Sequence, residues 1–458
     1  MRSNRVSSPR HLPAVARSAS LLLCVIVVVV TSAATGENTG AEAYWPQWRG
    51  PSADGVAPYG NPPIEWSENQ NIAWKIELPG RGNSTPIVWG DRLFLTTAVP
   101  LRKADEPRQV IDPQSTGRHP AVSPSSYVQQ SVVLAISRSD GSIVWQTAVH
   151  EGVPHDGTHN DGTYASSSPV TDGERVFAHF GSRGLYALDM DGSILWQTDL
   201  GDMVVRNGFG EGSSPALHGD TLVVPWDHQG QSFIVALDKA TGREIWRSER
   251  DEITSWTTPL VVEHDGRMQV ITSATEGVRS YDLETGEKIW RSSGVTLNAI
   301  PSPVAANGMV FVTSGFRGNV LQAIRLDAAS GDIVGTNAIA WTHDRDTPYV
   351  PSPLLYKGIL YLLKSNSGIL SAYDGASGEQ HYLERLPGIP SVYASPVASA
   401  DRIYIVGRRG EAIVLAAGPE LRVLATNHLD EGFDASPAIV GSEIYLRGER
   451  SLYRISER

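Results

Sequence analysis

The densest set of chemically capable side chains in this sequence runs from His150 to Asp161. Three histidines (His150, His155, His159) and three carboxylates (Glu151, Asp156, Asp161) fall within twelve residues. Imidazole and carboxylate together can ligate a divalent cation or exchange protons near neutrality. No helix period fixes their spacing, and a Gly-rich His-Asp loop can equally be a solvated turn. A metal-dependent enzyme using the His155/His159 loop is therefore one alternative, and the sequence assigns neither a catalytic residue nor a metal ligand set. There is no Gly-x-Ser-x-Gly elbow, no His-Glu-x-x-His and no glycine-rich phosphate loop opening a helix.

The elements around this loop are set by a repeat. A Ser-Pro or Thr-Pro pair opens a short apolar run at Pro86, Pro169, Pro215, Pro259, Pro303, Pro353, Pro396 and Pro437. After a first gap of 83 residues, the spacings are 46, 44, 44, 50, 43 and 41. A period in the forties filled with β-branched runs and Gly/Asp/Asn turns marks a β-propeller. Each period holds four strand-sized pieces, and a glycine precedes an aromatic by four residues at Trp145, Trp196, Trp246, Trp290 and Tyr382. These aromatics, with Trp74, read as structural docking groups between blades. Blade five has Gly335 where that aromatic is expected, with Trp341 late, and blade seven has no tryptophan.

The last period has room for three strands only, whereas residues 71–78 form a strand with no blade before it. Pairing the two closes the ring. The expectation is an all-β, eight-bladed propeller of four-stranded antiparallel blades, its ring completed by the N-terminal strand. Residues 1–33 read as a signal peptide, 34–69 as a linker and leader, and 70–458 as the propeller. An exposed, proline-rich insertion loop, 99–127, accounts for the long first spacing.

In such a ring the residues just before each Ser/Thr-Pro, and the loops between second and third strands, open on one face. The candidate ligand-binding set there is His155, His159, Asn160, Tyr164, Asn207, Glu211, Trp256, Asn298, Tyr349, Tyr393 and Asp434, with Asn83 beside them. Amides, aromatics and carboxylates facing a concavity suit a small polar ligand or a peptide. His119 of the insertion is expected to emerge beside the His155/His159 loop.

The formal charge is −12, or about −16 without the first 33 residues, which hold four arginines and no acid. Nucleic acid and anionic membrane surfaces are thereby disfavoured as partners. Arg2, Arg5, Arg10 and Arg17 precede an apolar run ending in Thr31-Ser32-Ala33, the pattern of a secretory signal. The expected location is periplasmic or secreted, an uncleaved anchor being the alternative. No stable membrane span is expected after cleavage. Cys24, the single cysteine, follows Leu23 inside the apolar run, which does not suit lipidation.

The segment Ala236-Leu237-Asp238-Lys239-Ala240-Thr241-Gly242-Arg243-Glu244-Ile245-Trp246 resembles the repeat of pyrroloquinoline-quinone (PQQ) proteins over essentially residues 70–458. Trp45-Pro46-Gln47-Trp48-Arg49-Gly50-Pro51 further resembles the leader of secreted PQQ-like propellers. This family contains quinoprotein dehydrogenases and non-enzymatic members such as the outer-membrane assembly factor BamB. The enzymatic members imply PQQ and calcium at one channel mouth, with oxidation of alcohols or sugars. Here the adjacent cysteine pair of many alcohol-oxidising members is absent, and no Glu/Asn/Asp set matches their calcium pattern. The resemblance thus implies a non-catalytic extracytoplasmic binding or assembly scaffold without cofactor. Such a scaffold would be a monomeric ring engaging an envelope protein or polysaccharide; a PQQ-dependent dehydrogenase is the alternative.

Overall fold

The computed structural model describes residues 40–108 and 119–457. The signal segment, Cys24 and residues 109–118 of the insertion lie outside the described residues. Eight sheets, each built on four antiparallel strands and one of them carrying a short fifth strand, form the propeller. No helix among the described residues is long and apolar enough to cross a membrane. Blade eight consists of Ala438–Val440, Glu443–Arg447 and Ser451–Ile455, completed by Ile72–Glu77. The closing strand pairs antiparallel with the last one, from Ile72 opposite Ile455 to Glu77 opposite Ser451.

The Ser/Thr-Pro pairs have a physical role. The Ser168 N–H donates to Oγ of Ser214 at 2.9 Å, and the Ser214 N–H to Oγ1 of Thr258 at 3.1 Å. The same bond joins Thr85 to Ser168, Thr258 to Ser302, Ser302 to Ser352, Ser352 to Ser395 and Ser395 to Ser436. Blades two to eight thus each accept, on a hydroxyl, an amide of the preceding blade. The following proline lacks a donor and holds its predecessor extended. Ser214→Ala strands the buried Ser168 amide and is expected to lower stability by about 1–3 kcal/mol. Ser214→Thr, the residue used in two other blades, should restore it. Urea unfolding of both variants checks this.

The glycine-to-aromatic spacing joins neighbouring blades. Gly192 has φ +87°, and its ideal Cβ position lies 2.7 Å from the Trp145 ring; Gly242 stands 2.6 Å from Trp196 in the same way. Each indole Nε1 then donates to a carbonyl of the next blade: Trp145 to Met190, Trp196 to Lys239, Trp246 to Leu283. Trp74 of blade eight does the same to Arg138. Blade five corrects the sequence expectation. Trp341 itself docks on Gly378 and donates to Gly375, although it comes late. The delay is an excursion in which Gly331–Asp332 pairs, parallel, with the outer strand of blade four opposite Trp290. Trp290 still packs against blade five, but its Nε1 donates to Gln269 of its own blade. Tyr382 takes the equivalent register, opposite Ala372.

The insertion also differs from a plain loop. Strands Arg92–Arg108 and Ser125–Ser137 continue the blade-one hairpin outward, with Val99 opposite Gln130 and Lys103 opposite Tyr127. Register shifts fall between Pro100 and Arg102 and between Lys103 and Arg108, so Pro100 and Pro107 sit at or within the irregularities. Bulges are where a strand tolerates proline, and polar composition therefore did not prevent pairing.

The leader crosses the propeller axis. Trp45 exchanges backbone bonds with Val88 of blade one, and the Pro46 carbonyl accepts from Thr171 of blade two. Arg49 donates to the Pro353 carbonyl of blade six at 2.6 Å. Ala57 and Ala398 of blade seven bond, and the Asn61 N–H reaches Gly441 of blade eight. Gln47, Trp48 and Ala53 border a narrow gap against Pro215, Pro259 and Pro303 of blades three to five. One segment therefore bonds to blades one, two, six, seven and eight, faces blades three to five across that gap, and closes one end of the channel.

Candidate functional site

With that end closed, the channel is a blind cup of about 440 Å³. Trp48 forms its floor, and the Ser/Thr hydroxyl ring passes through its wall. The upper wall is aromatic. Phe316 stacks on Tyr349 at 4.8 Å, Phe209 tilts against Trp256 at 6.4 Å, and His119 and His159 meet Phe209 edge-on at 5.0 and 5.1 Å. The insertion helps build this wall, because Val122 pairs with His159 and the Asn160 N–H donates to the Ala121 carbonyl.

Charge at the mouth is concentrated in one cluster. Arg408 donates to both oxygens of Asp434, at 2.7 and 3.1 Å, and to Asp161 at 2.9 Å. Its guanidinium lies 3.8 Å from the Tyr393 ring centroid, and the Tyr393 hydroxyl donates to Asp161 at 3.3 Å. Burial raises the Asp161 carboxyl, but bonding and charge from Arg408 outweigh it and hold the group below the usual carboxylate range. Burial keeps Asp434 above that range despite the same arginine.

The expected ring residues divide into three groups. His159, Glu211, Trp256, Asn298, Tyr349, Tyr393 and Asp434 line the cup, as does Asn83. His155 and Tyr164, with Glu211, line a smaller side chamber between blades two and three. Asn160 and Asn207 join neither. Asn160 is exposed and accepts from Ser123, whereas Asn207, at φ +53°, turns the short segment Arg206–Gly208. His155 and His159 therefore face different cavities. His155 accepts from Arg183 on Nδ1 and donates from Nε2 to the Met203 carbonyl at 2.7 Å. Among the described residues, no group of three or more His, Cys, Asp or Glu side chains is disposed to hold a metal ion.

Phe209, Trp48, Phe316 and Arg408 were not anticipated as site residues, and Asp161 was singled out only as part of the His150–Asp161 cluster. Phe316 and Arg408 stand between the second and third strands of blades five and seven. Those loops open on the mouth by propeller topology, so the signal was present. Glu211 depends on a glycine: its carboxylate accepts from the Ser182 amide and hydroxyl, and an ideal Cβ on Gly181, at φ +55°, would lie 1.5 Å from Oε2. Gly181→Ala should displace that carboxylate and lower stability by about 1–3 kcal/mol, measurable by thermal and urea unfolding.

The family described as outer membrane protein assembly factor BamB matches residues 106–231 and 230–458. This chain belongs to that family. The BamB of Yersinia pestis is 22% identical over 300 residues, covering 62% of this chain and 66% of that protein. Subunit 1 of the cytochrome c methanol dehydrogenase of Methylobacterium organophilum is 29% identical over 146 residues, 27% of this chain and 22% of that protein. The chain thus spans less than two thirds of either relative. Among solved structures, BamB from Moraxella catarrhalis superposes with a TM-score of 0.53 at 13% identity, covering 80% of this chain and 97% of that one. A europium-containing methanol dehydrogenase gives 0.62 at 10% identity, covering 92% and 98%. At these identities the structures share the fold, and the site must speak for the function.

Proposed function

We propose that this protein is an extracytoplasmic, non-catalytic scaffold whose cup holds a segment of an envelope protein. The observation that carries this reading is the blind cup itself, closed by the leader, walled by aromatics and amides, and charged chiefly through a cluster whose members satisfy one another. Aromatic faces beside amides suit an extended peptide, because rings take up side-chain surface while Asn and Tyr bond the backbone. The family's assembly factors support a protein partner over a polysaccharide. The arginine-then-apolar N-terminal sequence supports an extracytoplasmic location.

The cup is a poor fit for PQQ, a planar tricarboxylate. Its wall carries Asp161, Asp434 and Glu211 against Arg408, which two of those carboxylates already bind. An anion entering there meets like charge.

A photo-crosslinking residue at Tyr349 is expected to capture a defined envelope protein, and one at Ile143 on the outer blade edge is expected to capture none. Phe209→Ala should weaken the Tyr349 capture. Dye-linked oxidation of alcohols or sugars after loading with PQQ and Ca²⁺ would overturn the reading in favour of a quinoprotein dehydrogenase.

A further inference from the structure

The side chamber between blades two and three holds a second arrangement of polar groups. Its volume is about 60 Å³, and Ser166, Gly210, Glu211, Gly212 and Trp256 border both it and the cup. The doorway is framed by Trp256, whose indole Nε1 donates to the Gly210 carbonyl at 2.7 Å.

Most polar groups inside are satisfied by the protein. Asp227 accepts both guanidinium nitrogens of Arg250, at 2.8 and 3.0 Å, and the Ser255 hydroxyl at 2.6 Å. Arg183 is bound by Asp202 and donates to His155, both through one terminal nitrogen, whereas its Nε and the Ser167 hydroxyl have no hydrogen-bond partner among the described residues. His179 is different. It is 2% exposed, and its Nδ1 donates to the Ser213 carbonyl at 3.3 Å. Nε2 is therefore a bare lone pair, and it has no hydrogen-bond partner among the described residues. A buried acceptor left unmatched is costly, so this imidazole favours a guest that donates. Its charge points the same way: Glu211, Asp156 and Asp227 line it, against Arg183 at the wall and Arg250 behind Asp227. Burial raises the Glu211 carboxyl, opposed by Ser182, His155 and Arg183, and a neighbouring cation would hold it ionised.

We infer that this chamber is a subsite for a primary ammonium group, entered from the cup past Glu211, so that the segment held in the cup carries a lysine-like amine. The last clause rests on the scaffold reading; the ammonium subsite does not. An ammonium offers three donors and no acceptor, matching the imidazole lone pair and the carboxylate oxygens. A carboxylate would face the same lone pair and the same negative charge.

The test uses n-butylammonium chloride, n-butanol and sodium butyrate, each titrated into the full chain while the Trp256 indole N–H resonance is followed. Saturable shifts are expected with the amine. Butanol should bind about tenfold more weakly, and Glu211→Gln should weaken the amine by about the same factor, the loss of one charge-assisted bond. Gly212 offers a second variant that spares the buried network. Its ideal Cβ position has no neighbour nearer than 3.4 Å, so Gly212→Val should keep the fold and block the doorway, abolishing the shift. Equal binding of butanol or butyrate, or an unchanged amine response in either variant, would overturn the subsite. Amine binding without any crosslink from Tyr349 would leave the subsite standing and remove the scaffold reading.

Discussion

Trp45→Ala is expected to lower stability by about 3–5 kcal/mol, the usual loss when a fully buried tryptophan is truncated. Trp45 is wholly buried and belongs to one continuous apolar cluster with Trp66, Trp74, Val88, Leu93, Phe433, Tyr445 and Ile455. That cluster joins the leader, the closing strand and blades one, seven and eight. The fit is close, since Gly50, at φ +80°, would place a Cβ only 2.8 Å from the indole. The surroundings cannot collapse into the space without moving the closing strand. Trp45→Phe should lose less, because it keeps most of the apolar contact. Urea unfolding of wild type and both variants measures the difference. A Trp45→Ala midpoint close to wild type would show that the leader rests on the propeller without supporting it, and the closed floor of the cup would lose its physical basis.

The contrast between leader and blades explains what could be read in advance. Strands repeat their own local pattern, so Leu222–Val224 or Ile403–Val406 announce themselves, and an orphan strand at Ile72–Glu77 implies a blade that needs it. The leader has no period. Its bonds reach across the chain, as from Arg49 to Pro353 and from Trp66 to Asn427, and no window of sequence contains both ends of such a contact. The same holds for the cup. Tyr349 and Tyr393 were legible because they precede Ser-Pro pairs. The pairing of Arg408 with Asp161 joins blades seven and one to two through space, at 247 positions' separation. Composition misled at residues 99–108, where prolines and charges suggested a loop. Backbone pairing tolerates both when bulges take the prolines and water takes the side chains. Trp341 was displaced in number but not in place, because the excursion before it loops out and lets the outer strand keep its register opposite Ala323.

The second large effect concerns acid. His179 sits beside the Trp226 ring, and burial pushes its imidazole down to about 4, with its bond to Ser213 opposing only in part. In the unfolded chain the group titrates near its ordinary value of about 6.5. Above about pH 6.5 neither state binds the proton, and the group adds no pH dependence. As pH falls from about 6.5 to about 4, the unfolded chain takes up a proton that the folded chain refuses. Stability declines across that window, by about 3 kcal/mol in total for a shift of this size, and the decline ends once the folded form is protonated as well. His150, His159 and His228 are lowered by burial too, so the whole-protein curve contains their smaller contributions. His179→Gln isolates the one residue, since its amide can still donate to Ser213 but does not titrate. The stability difference between wild type and His179→Gln should therefore shift by about 3 kcal/mol in favour of the variant between pH 7 and pH 4. Parallel curves would mean that the chamber admits enough water to solvate an imidazolium, and the unmatched lone pair would no longer call for a guest.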